Sequence, residues 1–285
     1  MDVTQNRDID KVIVLGSGES ILSLNQEEIS YINRCRVVIS VNKFMAFYKK
    51  SGIIPTHVYF VDTDFNNLLF IKYIHQLCEK DNLEGLTFIF HKSLLVRVYN
   101  SILRKRLNQS VIFIYFGLRF LRRFRKAFLR EMINPKKYLK INNNYNYQFI
   151  THTLSTEGKV WQKSINKKLF HFRGSLTTVL NYISILYPNK EIYLVGADFY
   201  GASYFFEKEL DQLGFNWKDN TYDIVKAGKK HFSFQEFKGV KMTDKFPFIM
   251  KCLEESGNRL FCINKESLLV KEANVEYKDL MGDDK

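Results

Sequence analysis

Long apolar runs are missing from this chain of 285 residues. No segment approaches the roughly 20 consecutive apolar residues that a membrane-spanning helix needs, so we expect no transmembrane helix. The first residues also lack the basic stretch followed by an apolar stretch that marks a secretory signal peptide. We therefore expect a cytoplasmic protein.

Cysteine is scarce as well. The four cysteines lie far apart and show none of the spacings typical of zinc sites. Cys78, Cys252 and Cys262 lie within apolar patterns, so we expect reduced thiols in the core and not disulfides. The chain has no internal repeat and no low-complexity segment, and 46% of its residues are apolar, which is typical of a folded protein.

Acidic residues are almost absent between positions 96 and 140. This window holds thirteen lysines and arginines against one acid, Glu131, and so contains nearly all of the net charge of +13. Within it, residues 119–132 place basic side chains on one helical face and apolar ones on the other, which predicts a basic amphipathic helix. Such a helix can pack on the core, bind a nucleic acid or lie on an anionic membrane, and the sequence leaves these three open.

Short apolar runs alternate with helical patterns along the first third of the chain. This alternation is typical of a parallel sheet with helices on both faces. We therefore predict an α/β fold with a doubly wound, mainly parallel, Rossmann-like sheet. The predicted strands cover residues 11–15, 36–41, 56–62, 86–91, 191–198 and 259–264. The predicted helices cover residues 69–80, 175–186 and 244–256.

The regular alternation is interrupted twice. Residues 96–150 form a basic segment that we interpret as an insertion, and its polar run at 142–147 predicts a loop. Residues 201–240 are polar, aromatic and poorly periodic, which favours a lid or a small subdomain. We therefore expect one domain over residues 1–285 that carries this insertion and this lid.

Two tyrosines follow the predicted strand at 191–198. In open α/β sheets, ligands lie outside the carboxyl ends of the strands, so the hydroxyls of Tyr200 and Tyr204 are placed where a ligand would be. His231 lies further along in a polar segment. The ordinary pKa of an imidazole suits it to take a proton from a hydroxyl near neutral pH, and a plain surface histidine is the alternative.

A glycine-rich loop, Gly16-Ser17-Gly18, follows the first predicted strand. Its backbone N–H groups could approach a phosphate or a ribose, although a plain strand-to-helix turn has the same pattern. The loop is not a dinucleotide fingerprint, because Ile21 occupies the third glycine position and Asn42, not an acid, ends the second strand. Binding of a nicotinamide dinucleotide is thus disfavoured.

Polar side chains follow two more predicted strands. Asn42 carries both a donor and an acceptor, which can recognise the edge of a pyrimidine or cap a helix. The segment Asp62-Thr63-Asp64 could hold a divalent metal between its carboxylates, as in some nucleotide-sugar transferases. Capping and turn roles are equally common for these residue types.

Taken together, these residues resemble the bacterial sialyltransferases of glycosyltransferase family 42. The loop at 16–20 is similar to the family's Gly-Asn-Gly-Pro-Ser, with Ser and Glu in place of Asn and Pro. Asn42 precedes an aromatic segment, and Arg173 lies just before the helix that leads to the strand with the tyrosines. Residues 260–269 are similar to the family's last strand and its Ser-x-Leu-Leu.

The resemblance implies transfer of sialic acid from CMP-Neu5Ac with inversion, and it implies no cofactor and no essential metal. The residues implied in donor binding are Gly16, Ser17, Gly18, Asn42, Thr63 and Ser175. The residues implied in catalysis are Tyr200 and Tyr204 as donors to the leaving phosphate, Arg173 as the assisting cation and His231 as the general base.

The resemblance also implies partners. The acceptor would be a glycan of a lipooligosaccharide or a capsule. The local charge of residues 119–132, and not the resemblance, predicts that the enzyme lies at the inner face of the inner membrane, with this helix on anionic lipid or on the acceptor's phosphates. A homo-oligomer is compatible with this, and no nucleic acid is expected as a partner.

Three alternatives remain at this point. CMP-Kdo could replace the sialic acid donor. The basic window at 96–150 could belong to a non-catalytic RNA-binding protein. Asp62 and Asp64 could belong to a metal-dependent nucleotide-sugar transferase.

Overall fold

The structure of the protein is a computed structural model. It describes residues 7–60, 65–94, 145–154, 160–200, 204–213 and 231–282. The predicted basic helix at 119–132 and the Asp62-Thr63-Asp64 segment lie outside the described residues.

A parallel sheet is the centre of the fold. Its strands pair in the order β6-β5-β4-β3-β2-β1-β7-β8-β9, and every pairing between them is parallel. The strands are β1 (Ile9–Leu15), β2 (Cys35–Val41), β3 (His57–Phe60), β4 (Thr87–His91), β5 (Asn146–Leu154), β6 (Lys168–His171), β7 (Glu191–Val195), β8 (Arg259–Cys262) and β9 (Glu276–Tyr277). This sheet confirms the predicted α/β, Rossmann-like fold class.

Helices cover both faces of the sheet. The α-helices are α1 (Gln26–Arg34), α2 (Tyr48–Ser51), α3 (Phe65–Lys80), α4 (Ser175–Leu186), α5 (Glu207–Gln212), α6 (Phe246–Glu255) and α7 (Leu268–Ala273). Short 3-10 helices follow β1 and β2, at Glu19–Ser23 and Asn42–Phe47. The start of α1 carries a capping box, in which Asn25 and Glu28 each accept a hydrogen bond from the other's backbone N–H.

Side chains along β1 point alternately to the two faces of the sheet, and apolar residues on both faces need helices to cover them. Ile13 and Leu15 point into one apolar cluster, together with side chains from α1 and α3. Val12 and Val14 point into the other, together with side chains from α4, α6 and α7. A parallel strand that is buried on both faces has a nearly continuous apolar sequence, as this one does.

The predicted loop at 142–147 is wrong in its last part. Asn146 and Tyr147 begin β5, which pairs with β4 from Asn146 opposite Thr87 to Ile150 opposite His91. Strand β5 therefore starts inside the segment interpreted as an insertion. The polar asparagines at its start do not have the apolar pattern of a strand. This strand forms because it pairs with β4, and not because of its local apolar character.

The beginning of the segment predicted as a lid or a small subdomain packs on the core. Phe205, Phe206 and Leu210 are at most 2% exposed and belong to the apolar cluster that packs on β1. These three side chains thus attach residues 204–213 to the core. Residues 214–230 lie outside the described part of the chain, so a lid there stays a prediction.

The four cysteines are buried and free, which confirms the expectation of reduced core thiols for Cys78, Cys252 and Cys262. Burial raises the pKa of the Cys78 thiol to about 12, so this thiol is protonated at neutral pH. Among the described residues, no helix has the length and apolar character needed to cross a membrane.

Candidate functional site

The site lies where the direction of strand order reverses. Strand β1 is flanked by β2 on one side and by β7 on the other, and the chain reaches β7 only after it has built the whole sheet from β2 to β6. At such a switch point the loops leave neighbouring strands in opposite directions and open a crevice at the carboxyl ends.

The loops after β1 and β7 lie in direct backbone contact. The N–H of Gly16 donates to the carbonyl of Val195, and the N–H of Gly18 donates to the carbonyl of Gly196, both at 2.8 Å. A Cβ on Gly16 would lie 2.3 Å from the carbonyl oxygen of Gly196. The glycines therefore permit close loop packing, and two of the N–H groups considered for phosphate binding are already used within the protein.

A buried carboxylate joins three of the strand-end loops. Asp198 is only 6% exposed. Its Oδ2 accepts the backbone N–H of Ser20 at 3.0 Å, and its Oδ1 accepts the Ser20 hydroxyl at 2.5 Å and the Asn264 amide at 2.8 Å. The loops after β1, β7 and β8 are thus held to one side chain. A Cβ on Gly18 would lie 2.2 Å from Oδ2, so this carboxylate also explains the second glycine.

Tyr200 and Tyr204 both belong to the segment that follows β7. Tyr200 is 44% exposed, and its hydroxyl lies 3.3 Å from the Asn264 amide nitrogen. Tyr204 forms an isolated antiparallel bridge with Gly18, and its ring stacks on Phe206 with centroids 5.3 Å apart. Both predicted tyrosines are therefore at the carboxyl edge, Tyr200 as an exposed side chain and Tyr204 as a packed one.

His231 is held beside the same loop. Its backbone N–H donates to the carbonyl of Phe199 at 3.3 Å, and its ring makes an edge contact with the Phe199 ring. Its Nδ1 accepts the backbone N–H of Ser233 at 3.3 Å. In this arrangement Nδ1 carries the lone pair, so the neutral ring carries its hydrogen on Nε2.

Arg173 and Gly174 connect the end of β6 to the start of α4. The Arg173 guanidinium lies 5.0 Å from the centre of the Phe237 ring, and burial lowers the pKa of Arg173 from its usual value. A Cβ on Gly174 would lie 2.9 Å from the Ser233 hydroxyl. The loop of Arg173 and the segment of His231 are therefore neighbours.

Asn42 and Ser175 meet although they are far apart in the sequence. The Asn42 side-chain nitrogen lies 3.3 Å from the hydroxyl of Ser175, the first residue of α4. The 3-10 helix that starts at Asn42 has no side-chain cap. The Asn42 side chain thus faces α4. It does not cap a helix, which was one of the two roles that the sequence allowed.

Three non-glycine residues around the crevice have left-handed backbone angles. The φ values are 55° at Asn42, 55° at Arg173 and 58° at Phe199. Asparagine tolerates this conformation, whereas arginine and phenylalanine adopt it at a cost of roughly 1–3 kcal/mol. Such conformations cluster at functional sites, where the surrounding structure maintains them.

Several predicted residues are not placed by the structure. Thr63, Asp62 and Asp64 lie outside the described residues, as does the helix at 119–132. In the part of the chain that is described, no group of three or more His, Cys, Asp or Glu side chains could hold a metal ion.

A row of three histidines was missed by sequence reasoning. His91, His152 and His171 come from the neighbouring strands β4, β5 and β6, and their ring centroids are 4.5 Å and 4.2 Å apart along the row. Burial lowers all three pKa values, to about 3 for His152, where the neighbouring imidazoles add to the effect, and to about 4 for His171. Only the strand register brings these residues together, so no local motif could have revealed them.

The fold and the site together define a doubly wound α/β protein with a candidate ligand site at its switch point. Asn42, Ser175, Arg173, Tyr200 and His231 belong to segments that meet there. Asp198 and Asn264 complete the site and carried no predicted role.

Comparisons with known proteins find similarity in solved structures. No known family model and no curated protein sequence matches the chain. The chain is similar to the MAf glycosyltransferase of Magnetospirillum magneticum AMB-1, with a TM-score of 0.41 and 13% identity, over 89% of this chain and 31% of that one. It is also similar to the monofunctional alpha-2,3-sialyltransferase Cst-I of Campylobacter jejuni, with a TM-score of 0.39 and 16% identity, over 93% of this chain and 79% of that one. Both are distant similarities of fold.

Proposed function

We propose that this protein is a glycosyltransferase that uses a CMP-linked sugar as its donor. The observation that supports this most is the meeting of strand-end segments at the switch point. Asn42 contacts the first residue of α4, and the segment of His231 adjoins both the loop of Arg173 and the loop of Tyr200. Asn42 would recognise the pyrimidine edge of the donor, since its amide supplies both a donor and an acceptor.

Departure of the nucleotide sets the first chemical requirement. A nucleoside monophosphate leaves with growing negative charge on its phosphate, and fixed hydrogen-bond donors or a cation beside that charge lower the barrier. The hydroxyls of Tyr200 and Tyr204 would supply the donors, and Arg173 would supply the cation. No metal would then be essential, because these groups already stabilise the leaving group.

Attack by the acceptor sets the second requirement. A direct displacement inverts the anomeric carbon and needs one base that removes the proton of the acceptor hydroxyl. His231 would be this base. Because the Nδ1 lone pair accepts the Ser233 N–H in the structure, acceptor binding must break this 3.3 Å hydrogen bond or turn the ring. Only then does a nitrogen lone pair face the hydroxyl.

The donor sugar and the acceptor follow from the sequence resemblance alone. We propose CMP-Neu5Ac as the donor, with CMP-Kdo as the alternative, and a lipooligosaccharide or capsule glycan as the acceptor. The resemblance to family 42 rests on the glycine loop, Asn42, Arg173, the tyrosine loop and residues 260–269.

The experiment is CMP release from CMP-Neu5Ac in EDTA, measured for the native protein, His231→Ala and Tyr200→Phe. Removing the base is expected to lower the rate about 100-fold or more. Removing one donor to the leaving phosphate is expected to lower it by about the same factor. Native thermal stability of both variants serves as the control for folding.

Each outcome has a consequence. Release that falls in both variants supports a metal-free CMP-sugar enzyme. Release that requires a divalent metal would favour the alternative with Asp62 and Asp64. Absence of release with CMP-Neu5Ac and CMP-Kdo, together with absence of CMP binding in a titration, would overturn the proposal.

We also propose that residues 119–132 bring the enzyme to an anionic membrane at the inner face of the inner membrane. The support is the local charge of the predicted helix. Neutralising Arg119, Arg122, Arg123 and Lys126 should reduce binding to anionic liposomes and spare turnover of a soluble acceptor. Unchanged liposome binding would contradict the idea, and tight RNA binding with a steep salt dependence would favour the RNA-binding alternative.

A further inference from the structure

Asn264 lies two residues after β8 and faces the loop of Tyr200. Its side-chain nitrogen is 2.8 Å from Oδ1 of Asp198 and 3.3 Å from the hydroxyl oxygen of Tyr200. Its side-chain oxygen is 3.0 Å from the backbone N–H of Glu266. One amide group therefore connects the turn after β8, the buried carboxylate and the exposed tyrosine.

The orientation of this amide is determined by its neighbours. A backbone N–H only donates and an ionised carboxylate only accepts, so the Asn264 oxygen must face Glu266 and its NH₂ group must face Asp198. The reversed orientation would place the amide oxygen against the carboxylate and the amide hydrogens against an N–H. The two hydrogens of the NH₂ group then serve Asp198 and Tyr200.

This orientation decides the direction of the contact with Tyr200. An amide nitrogen does not accept hydrogen bonds, so Asn264 donates and the phenol oxygen accepts. The hydroxyl hydrogen of Tyr200 is consequently not used in this contact and points elsewhere. Because Tyr200 is 44% exposed, this hydrogen is available to a ligand at the carboxyl edge of the sheet.

Asp198 anchors Asn264 in this position. Its carboxylate is almost fully buried and is itself held by the backbone N–H and the hydroxyl of Ser20. Its backbone carbonyl accepts the N–H of Leu268 at 3.1 Å, which ties the loop after β7 to the start of α7. Glu266 and Asp198 already hold the Asn264 amide in place. Little conformational entropy is therefore lost when this amide also donates to Tyr200.

We propose that Asn264 is a positioning residue, which donates to the Tyr200 oxygen and so directs the Tyr200 hydroxyl hydrogen toward the leaving phosphate of the donor. This inference rests on the proposed function, because it names how one of the groups at the leaving phosphate is oriented. Hydrogen-bond donation to the phenol oxygen also makes its O–H a stronger donor, since the two bonds polarise each other in the same direction.

The first test is a double-mutant cycle on the rate of CMP release. Asn264→Ala is expected to lower kcat about fivefold to tenfold, which corresponds to the loss of one hydrogen bond, with little change in KM. In the Tyr200→Phe background the same substitution is expected to change kcat less than about twofold, because the acceptor oxygen is gone. Equal losses in both backgrounds would overturn the proposal, because Asn264 would then act independently of Tyr200.

A matched control comes from the same turn. Glu266→Gln keeps the backbone N–H that orients Asn264 and changes only a side chain whose carboxylate pairs with Lys271 at the surface. Its kcat is expected to equal that of the native protein. A loss as large as that of Asn264→Ala would show that any disturbance of this turn suffices, and would overturn the specific role of the amide.

The second test does not depend on turnover. In protein labelled with ¹³Cζ-tyrosine, the Tyr200 resonance is identified by its disappearance in Tyr200→Phe. Asn264→Ala is expected to shift this resonance and Glu266→Gln is not, because the Cζ shift responds to hydrogen bonds at the phenol oxygen. An unshifted resonance would overturn the proposal. If the resonance shifts and the native protein neither binds CMP nor releases it from any donor, the contact stands and the proposed function fails.

Discussion

At the scale of single residues, two glycines decide how closely the strand-end loops approach each other. Gly16 and Gly18 place their backbone against the carbonyl of Gly196 and the carboxylate of Asp198. Their φ values are not the reason, since neither lies in the left-handed region. The reason is that a side chain would have no space. The atoms that would clash with it belong to residues about 180 positions further along the chain.

Replacement of Gly16 by Ala should therefore destabilise the protein. The new Cβ would lie 2.3 Å from a backbone oxygen, which cannot move aside without opening the contact between β1 and β7. We expect a loss of about 3 kcal/mol in the free energy of unfolding, measured by urea denaturation.

Gly282→Ala is the matched control. At that position the nearest atom to a new Cβ is 3.5 Å away, an ordinary contact, so the unfolding free energy should change by less than about 0.5 kcal/mol. A Gly16→Ala protein as stable as this control would show that the two loops separate easily.

At the scale of elements, the neighbouring strands β4, β5 and β6 predict a pH-dependent stability. Each strand contributes one imidazole to the row of His91, His152 and His171, and the ring of His171 also hydrogen-bonds the Thr178 hydroxyl of α4 at 2.9 Å. Burial favours the neutral imidazole, and each neighbouring ring disfavours a second proton. We therefore expect protonation of these imidazoles to lower the stability of the folded protein.

Acidification should weaken this part of the fold. The pKa of His171 is lowered from 6.5 to about 4, so between these pH values the unfolded chain binds a proton that the folded protein does not. Stability is thus lost as the pH falls through this window. The contribution of His171 to the slope of the unfolding free energy is about 1.4 kcal/mol per pH unit, and His171→Asn should remove it.

Thr178→Val distinguishes the effect of His171 protonation from the effect of the contacts around His171. It removes the hydrogen bond to His171 but leaves the imidazole in place. We expect a lower unfolding free energy at every pH and a nearly unchanged slope, measured by urea denaturation from pH 4.5 to 7.5. A slope that stays the same in His171→Asn would show that this imidazole does not titrate with folding.

At the scale of the whole molecule, two apolar clusters share one sheet. Ile13 of β1 belongs to one cluster and Leu194 of β7 to the other, and both side chains are completely buried. The two residues lie on neighbouring strands and point to opposite faces. The helices on both faces therefore pack against the same sheet. We infer that the two faces fold and unfold together.

Substitution on either face should accordingly shift the same unfolding transition. Ile13→Ala and Leu194→Ala are each expected to lower the unfolding free energy by about 2–5 kcal/mol. Circular dichroism and tryptophan fluorescence should report one common midpoint in each variant. Leu154→Ala, at an exposed position, should change the unfolding free energy by less than about 0.5 kcal/mol. Two separate midpoints in Ile13→Ala would contradict a shared core.

Much of the fold could be predicted from local patterns. The apolar runs of β1, β2 and β4 agree with the structure to within two residues, and the helix predicted over 175–186 has the observed bounds of α4. Strand β5 was not predicted, because its sequence is polar at its start and its place is set by pairing with β4. Strand β6 was not predicted either.

The sequence by itself determined which residues could bear chemistry at the strand ends. A strand end has a local signature, so Asn42, Tyr200 and the glycine loop were recognisable without any contact information. The tertiary structure alone decided which of these side chains meet. Asn42 reaches Ser175, Asp198 joins three loops, and Asn264 contacts Tyr200, because the parallel register brings distant strand ends to one edge.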